Sequence, residues 1–218
     1  MMNLESYIDH TNLKPDASKV AIDQLCREAM EHGFAAVCVS PYHVKTCVEK
    51  LKNSGVKIAT VIGFPMGYAT TPAKVEEVKR AIDDGAHEID MVINIQALKA
   101  NDLVYVRNDI ESICTYTHLK SHMLKVIIEI GLLTQSEIIT ICKICEEIGV
   151  DYIKTSTGVI GRGATTADII LLRKLVPSKM KIKASGGIKD KNAALDLIEA
   201  GADRIGTSSS VNFFQNES

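Results

Sequence analysis

Apolar and polar residues alternate with a period of two in four separate stretches of this chain. In EIDMVINI (88–95) Ile89, Met91, Ile93 and Ile95 alternate with Glu88, Asp90 and Asn94, and in LKVIIEIG (124–131) Val126, Ile128 and Ile130 alternate with Lys125 and Glu129. In DYIKTST (151–157) Ile153 and Thr155 stand opposite Tyr152, Lys154 and Ser156; in KIKASGG (181–187) Ile182 and Ala184 stand opposite Lys181, Lys183 and Ser185. A period of two is that of a strand, so each stretch predicts a strand with one apolar and one charged face.

Between such stretches the spacing of apolar residues changes to three and four. Ile22, Leu25, Cys26 and Ala29 show it, as do Val75, Val78 and Ile82, then Ile138, Ile141, Cys142, Cys145 and Ile148, and finally Ala194, Leu197 and Ile198. These are the inward stripes of amphipathic helices, and Thr134 with Glu137 predicts a capping box at the start of one of them. Five junctions repeat one order, a charged helical stretch closing at a glycine before an apolar strand: Gly33, Gly55, Gly85, Gly149 and Gly201. Each suits the left-handed position that ends a helix.

Eight strands are predicted in all, near 6–11, 34–40, 56–63, 87–95, 124–131, 150–157, 181–186 and 203–208. Strands alternating with helices fit either a (β/α)8 TIM barrel or a doubly wound open sheet. The charged faces favour the barrel: an open sheet covered by helices on both sides has no place for them, whereas a barrel interior gathers and pairs them. With 218 residues and no Pro-, Ser- or charge-rich break, the chain is expected to form a single domain over 1–218.

Composition narrows the function classes without choosing among them. The chain is 46% hydrophobic and 24% charged with a net charge of −2, which gives no support to a nucleic-acid or anionic-membrane surface. The start, MMNLESYIDH, carries Glu5 and Asp9 and lacks the features of a secretory signal, so a cytoplasmic location is expected. Six irregularly spaced cysteines then read as reduced core residues; Cys142 and Cys145 lie within a helical stripe, and Cys38 is either core or a thiol at the barrel mouth. His118 and His122 have i, i+4 spacing but lack the glutamate of a zinc helix. No metal-ligand set emerges, and no cofactor is called for.

In a barrel the C-terminal ends of the strands line the active-site mouth, so Asp90, Lys154 and Lys183 would converge there, with Asp9 from the first strand beside them. Two readings stay open on residue types alone. The charges form a buried structural ion-pair network, with Lys154 paired to Glu129 or Glu88; or two neighbouring lysines depress the pKa of at least one, leaving a free amine that attacks a carbonyl to form a Schiff base. The loops SGGI (185–188) and GTSSS (206–210) follow the seventh and eighth strands, where barrels commonly bind phosphate, and Gly186, Gly187, Ser208 and Ser209 are candidate donors. The loop TGVIGRG after the sixth strand adds Gly158, and together these features point to a metal-free lyase acting on a phosphorylated carbonyl compound.

IDHTNL (8–13), EIDMVIN (88–94), LKVIIE (124–129), DYIKTSTG (151–158), IKASGGI (182–188) and IGTSS (205–209) occur in the order found in the deoxyribose-phosphate aldolase family, which the chain resembles over nearly its whole length. The resemblance implies a class I aldolase that reversibly cleaves 2-deoxy-D-ribose 5-phosphate to D-glyceraldehyde 3-phosphate and acetaldehyde, in deoxyribose phosphate catabolism. It implies Lys154 as the Schiff-base lysine, Lys183 as the neighbour that perturbs it, Asp90 as the proton-transfer carboxylate and Asp9 as its support. Homodimers common in the family make a homodimer possible here. Two departures bear on phosphate binding: Val159 stands where some members carry a lysine, leaving Arg162 or backbone groups to serve, and the sequence given finishes at NFFQNES without the tyrosine-ended tail of some members. A barrel that binds a sugar phosphate without turnover, or another phosphate-binding barrel such as a transaldolase-like transferase or a decarboxylating synthase, remains the competing reading.

Overall fold

The structure, a computed structural model, describes residues 3–214; the end of the NFFQNES segment lies outside the described residues. Eight parallel strands, β1 (Ile8–Asn12), β2 (Ala36–Val39), β3 (Lys57–Ile62), β4 (Glu88–Val92), β5 (Met123–Ile127), β6 (Tyr152–Lys154), β7 (Lys181–Ser185) and β8 (Arg204–Thr207), form a closed barrel in chain order. Closure comes from β1 pairing with β8, where Ile8, Asp9 and His10 stand against Ile205, Gly206 and Thr207. All eight predicted strands are present, several shorter at their ends than the sequence pattern implies, because hydrogen-bonded pairing stops where the loops begin.

The helices are α1 (Lys19–His32), α2 (Val44–Lys50), α3 (Thr71–Asp83), α4 (Ile95–Lys99), α5 (Leu103–Leu119), α6 (Gln135–Ile148), α7 (Thr166–Leu175) and α8 (Lys191–Glu199). The predicted capping box opens α6: Thr134 Oγ1 accepts from the Glu137 N–H and the Glu137 carboxylate from the Thr134 N–H. All five junction glycines adopt positive φ, from 69° at Gly33 to 113° at Gly201. Among the described residues no helix is long and apolar enough to cross a membrane.

The apolar faces of the strands point outward. Ile89, Met91, Val126, Ile153, Ile182 and Ile205 are fully buried against the helix stripes, forming a continuous core in which Cys26, Cys142 and Cys145 are ordinary packing residues. The inward face is divided. On the β2–β3 side it holds a small apolar cluster of Cys38, Ala59 and Val61; on the other it carries charge. Near the bottom, the ring of Tyr152 is surrounded by Lys125, Lys181 and Arg204, whose cationic groups stand 5.9, 5.6 and 5.8 Å from its centre.

Lys181 keeps to the predicted charged face but is exposed at the start of β7, whereas two other residues of those faces lie elsewhere. Asn94 has left the strand and caps α4 by accepting from the Ala97 N–H at 3.0 Å. Glu129 sits past the end of β5 with φ 50°, a turned backbone that sends its side chain to the loop after β6 instead of to Lys154.

Candidate active site

Seven charged side chains fill the interior on the β4–β8 and β1 side. Asp90, in the middle of β4, is fully buried, and three lysines from the next strands reach it: Lys125 Nζ donates to Oδ1 at 2.8 Å, while Lys154 Nζ and Lys183 Nζ both donate to Oδ2 at 2.8 Å. Asp9, on β1, accepts from Lys183 and, at 2.6 Å, from Arg204. Glu88 pairs with Lys125 at 2.5 Å and lies 3.5 Å from Arg204. Strand register produces this arrangement: Asp90 stands beside Lys125, Lys154 beside Lys183, and Lys183 beside Arg204.

Electrostatics follow from burial and pairing. Burial alone would raise the two aspartates, but the ammoniums of Lys125, Lys154 and Lys183 hold Asp90 well below the carboxylate range, and Lys183 with Arg204 does the same for Asp9. Burial likewise disfavours a charged Lys183, yet Asp9 and Asp90 outweigh it and raise its pKa; Asp90 and Glu88 do the same for Lys125. Lys183, one of the two neighbouring lysines, is thus held in its charged form by its carboxylates. Three carboxylates face four cations, and Lys154 is the cation held by a single carboxylate contact.

Lys154 also forms the floor of a cavity of about 490 Å³ at the C-terminal mouth of the barrel. Its walls include Gly158, Gly186, Gly187, Ser208 and Ser209. The loops after β6 and β7 touch backbone to backbone, and this contact demands glycine: a Cβ on Gly163 would lie 2.0 Å from the carbonyl oxygen of Gly186, while Gly186 itself has φ 87°. Thr207 Oγ1 donates to the Ile188 carbonyl at 2.6 Å and ties the loop after β8 to its neighbour. That same oxygen accepts the Ser209 N–H at 3.0 Å, so of the groups Ser209 was expected to offer a phosphate, the backbone donor is already engaged.

Beneath the loop after β6, Glu129 Oε2 accepts from the Thr157 N–H at 3.1 Å and from the Thr157 hydroxyl at 2.5 Å. Thr157 Oγ1 in turn accepts from the N–H groups of Val159 and Ile160, at 3.1 and 3.3 Å. Arg162 does not face the cavity. Its guanidinium grips Asp168 with two bonds, 2.5 and 2.8 Å, which leaves the carboxylate still able to cap α7.

Cationic groups that the sequence reading missed do line the cavity: Lys189, two residues beyond the glycine pair, and Lys14, just after β1. Their sequence signal was slight, a lysine in a loop being usual. Lys125 and Arg204 were visible only as strand residues, and neither was expected at the site. His10 was also missed; it lines the cavity and braces it, with Nε2 2.8 Å from Glu28 Oε2 and Nδ1 2.6 Å from Ser210 Oγ. Cys38 is fully buried in the apolar half of the interior, where burial pushes its thiol up, and it is absent from the cavity lining. Among the described residues no cluster of three or more His, Cys, Asp and Glu side chains is placed to hold a metal ion.

Residues 5–216 match the model of the DeoC/LacD family aldolases. A deoxyribose-phosphate aldolase of Thermococcus gammatolerans is 51% identical over 216 residues, covering 98% of this chain and 96% of that protein. One from Brevibacillus brevis is 51% identical over 211 residues, covering 97% and 95%. Among solved structures, the tetrameric deoxyribose-phosphate aldolase of Aeropyrum pernix superposes with a TM-score of 0.89 at 33% identity, covering 95% of this chain and 88% of that one.

Proposed function

The chain belongs to the DeoC/LacD aldolase family, and from that premise we propose that it reversibly cleaves 2-deoxy-D-ribose 5-phosphate to D-glyceraldehyde 3-phosphate and acetaldehyde through a Schiff base at Lys154. The observation that carries this reading is the position of Lys154: at the floor of the cavity, in a cluster with one cation more than its carboxylates, and with the smallest share of negative charge. Imine formation requires an amine that can leave its partner for a carbonyl carbon, and Lys154 is the one cation of the cluster with a single carboxylate to leave.

In the cleavage direction Lys154 Nζ adds to C1 of the open-chain sugar, and loss of water gives the iminium. The C3 hydroxyl then loses its proton to the Asp90–Lys183 pair, directly or through a water, as the C2–C3 bonding electrons move into the iminium. Glyceraldehyde 3-phosphate leaves; the remaining two-carbon enamine is protonated at C2 and hydrolysed to acetaldehyde. Asp9 acts through Lys183, holding its ammonium beside Asp90. The substrate phosphate is assigned to the loops bearing Gly158, Gly186, Gly187, Ser208 and Ser209, with Lys189 and Lys14 in the position that Arg162 does not occupy.

Incubation with acetaldehyde, reduction with borohydride and peptide mapping should place the adduct on Lys154. Adducts confined to surface lysines would sink the reading, as would equal turnover of ribose 5-phosphate and 2-deoxyribose 5-phosphate.

A further inference from the structure

Two buried hydroxyls, those of Ser156 and Ser185, find no hydrogen-bond partner among the described residues. Ser156 is fully enclosed and absent from the cavity lining, whereas Ser185 lines the cavity and retains 4% of its surface. Buried polar groups are otherwise satisfied in folded proteins, and an exception that faces a site marks a place where a ligand completes the set.

The position of Ser185 is well determined. Its N–H donates to Thr155 Oγ1 at 3.1 Å, and its carbonyl accepts from the Thr155 hydroxyl at 3.3 Å and from the Ala164 N–H at 3.1 Å. It lies on the inward face of β7 two residues beyond Lys183, about 6.6 Å further along the strand. That is one layer above the lysines and just below the Gly186–Gly187 loop. Across from it on β8 stands Gly206, where a Cβ would come within 2.5 Å of Ser185 Oγ and 3.0 Å of Lys183 Cε. Glycine there leaves the space that the hydroxyl occupies.

We infer that the Ser185 hydroxyl binds the C4 hydroxyl of the sugar phosphate, which is the C2 hydroxyl of the aldehyde acceptor in the reverse direction; this rests on the aldolase reading above. A substrate joined to Lys154 at C1 and held by its phosphate at the glycine loops places C3 and C4 at the intervening level. The C3 hydroxyl gives up its proton and belongs with Asp90 and Lys183. The C4 hydroxyl keeps its proton through the reaction, and a neutral group that both donates and accepts suits it.

The test compares two acceptors in aldol addition with acetaldehyde: D-glyceraldehyde 3-phosphate and 3-oxopropyl phosphate, which lacks the hydroxyl. The wild type should favour the first in kcat/KM, and Ser185→Ala should reduce that preference about tenfold by losing activity on the hydroxylated acceptor alone. Ser185→Cys, which keeps the shape of the side chain but replaces its hydroxyl by a weakly hydrogen-bonding thiol, should reduce the same ratio, so the result does not depend on one variant folding. A wild type without preference, or variants that lose equally on both acceptors, would overturn the assignment. Borohydride trapping of acetaldehyde on Lys154 separates the two failures: if trapping succeeds and the ratio does not move, Ser185 alone is misassigned, and if the wild type cannot be trapped, both readings fall.

Discussion

Lys154 and Lys183 donate to the same atom, Oδ2 of Asp90, each at 2.8 Å, yet they stand differently in the charge cluster. Lys183 also holds Asp9, whereas Lys154 has no second carboxylate. One is structurally committed to its charge; the other is attached at a single point and faces the cavity.

That asymmetry predicts unequal stability effects. Lys154→Leu leaves three carboxylates facing three cations, and Asp90 keeps Lys125 and Lys183, so stability should change by less than about 1 kcal/mol while turnover is abolished. Lys183→Leu takes a partner from both Asp9 and Asp90 and should cost about 3–5 kcal/mol, lowering Tm by roughly 6–20 °C. Thermal unfolding of both variants checks it; equal melting temperatures would refute the division of roles.

Acid stability should report Asp90. Its folded pKa lies below its unfolded value of about 3.9, so the unfolded chain binds more protons in the window between the two. The stability it contributes is complete above about pH 4 and is lost as pH falls through the folded value. Urea unfolding of wild type and Asp90→Asn should show a gap that is constant from pH 7 to about 4 and narrows below it. A gap equally wide at pH 2.5 and pH 7 would contradict the assignment.

Thr157→Val should loosen the loop after β6, because Thr157 Oγ1 links Glu129 to the Val159 and Ile160 N–H groups. The preference for 2-deoxyribose 5-phosphate over 2-deoxyribose, measured as kcat/KM, is expected to fall about tenfold, chiefly through KM. An unchanged preference would separate this loop from phosphate binding.

Outside the barrel mouth, Lys74 on α3 and Asp109 on α5 form a fully buried pair, with Lys74 Nζ also donating to the Val92 carbonyl at 2.9 Å. Lys74→Met should destabilise by about 3–5 kcal/mol by leaving Asp109 charged with only the Thr71 hydroxyl to bond it, and Lys74→Met with Asp109→Leu should recover most of the loss. Denaturant unfolding of the single and double variants decides it; a double variant no more stable than the single would show that packing, not the orphaned charge, dominates.

The sequence by itself determined the strand count, the barrel and the four residues that meet at its centre. Period-two alternation states which residues share a face, and charged residues on that face favour a barrel over an open sheet covered on both sides. It did not determine who pairs with whom. Arg204 meets Asp9 across 195 positions of chain and Lys74 meets Asp109 across 35, contacts created by strand register, barrel closure and helix packing. Arg162 was chemically suited to a phosphate, but the start of α7 places Asp168 within its reach, and a bidentate carboxylate claims it. Lys189 and Lys14 carry no pattern of their own; only the convergence of the β1 and β7 loops around one cavity makes them neighbours. Local periodicity fixes which way a side chain faces, whereas its partner is set by distances between segments far apart in the chain, and those exist only once the barrel has closed.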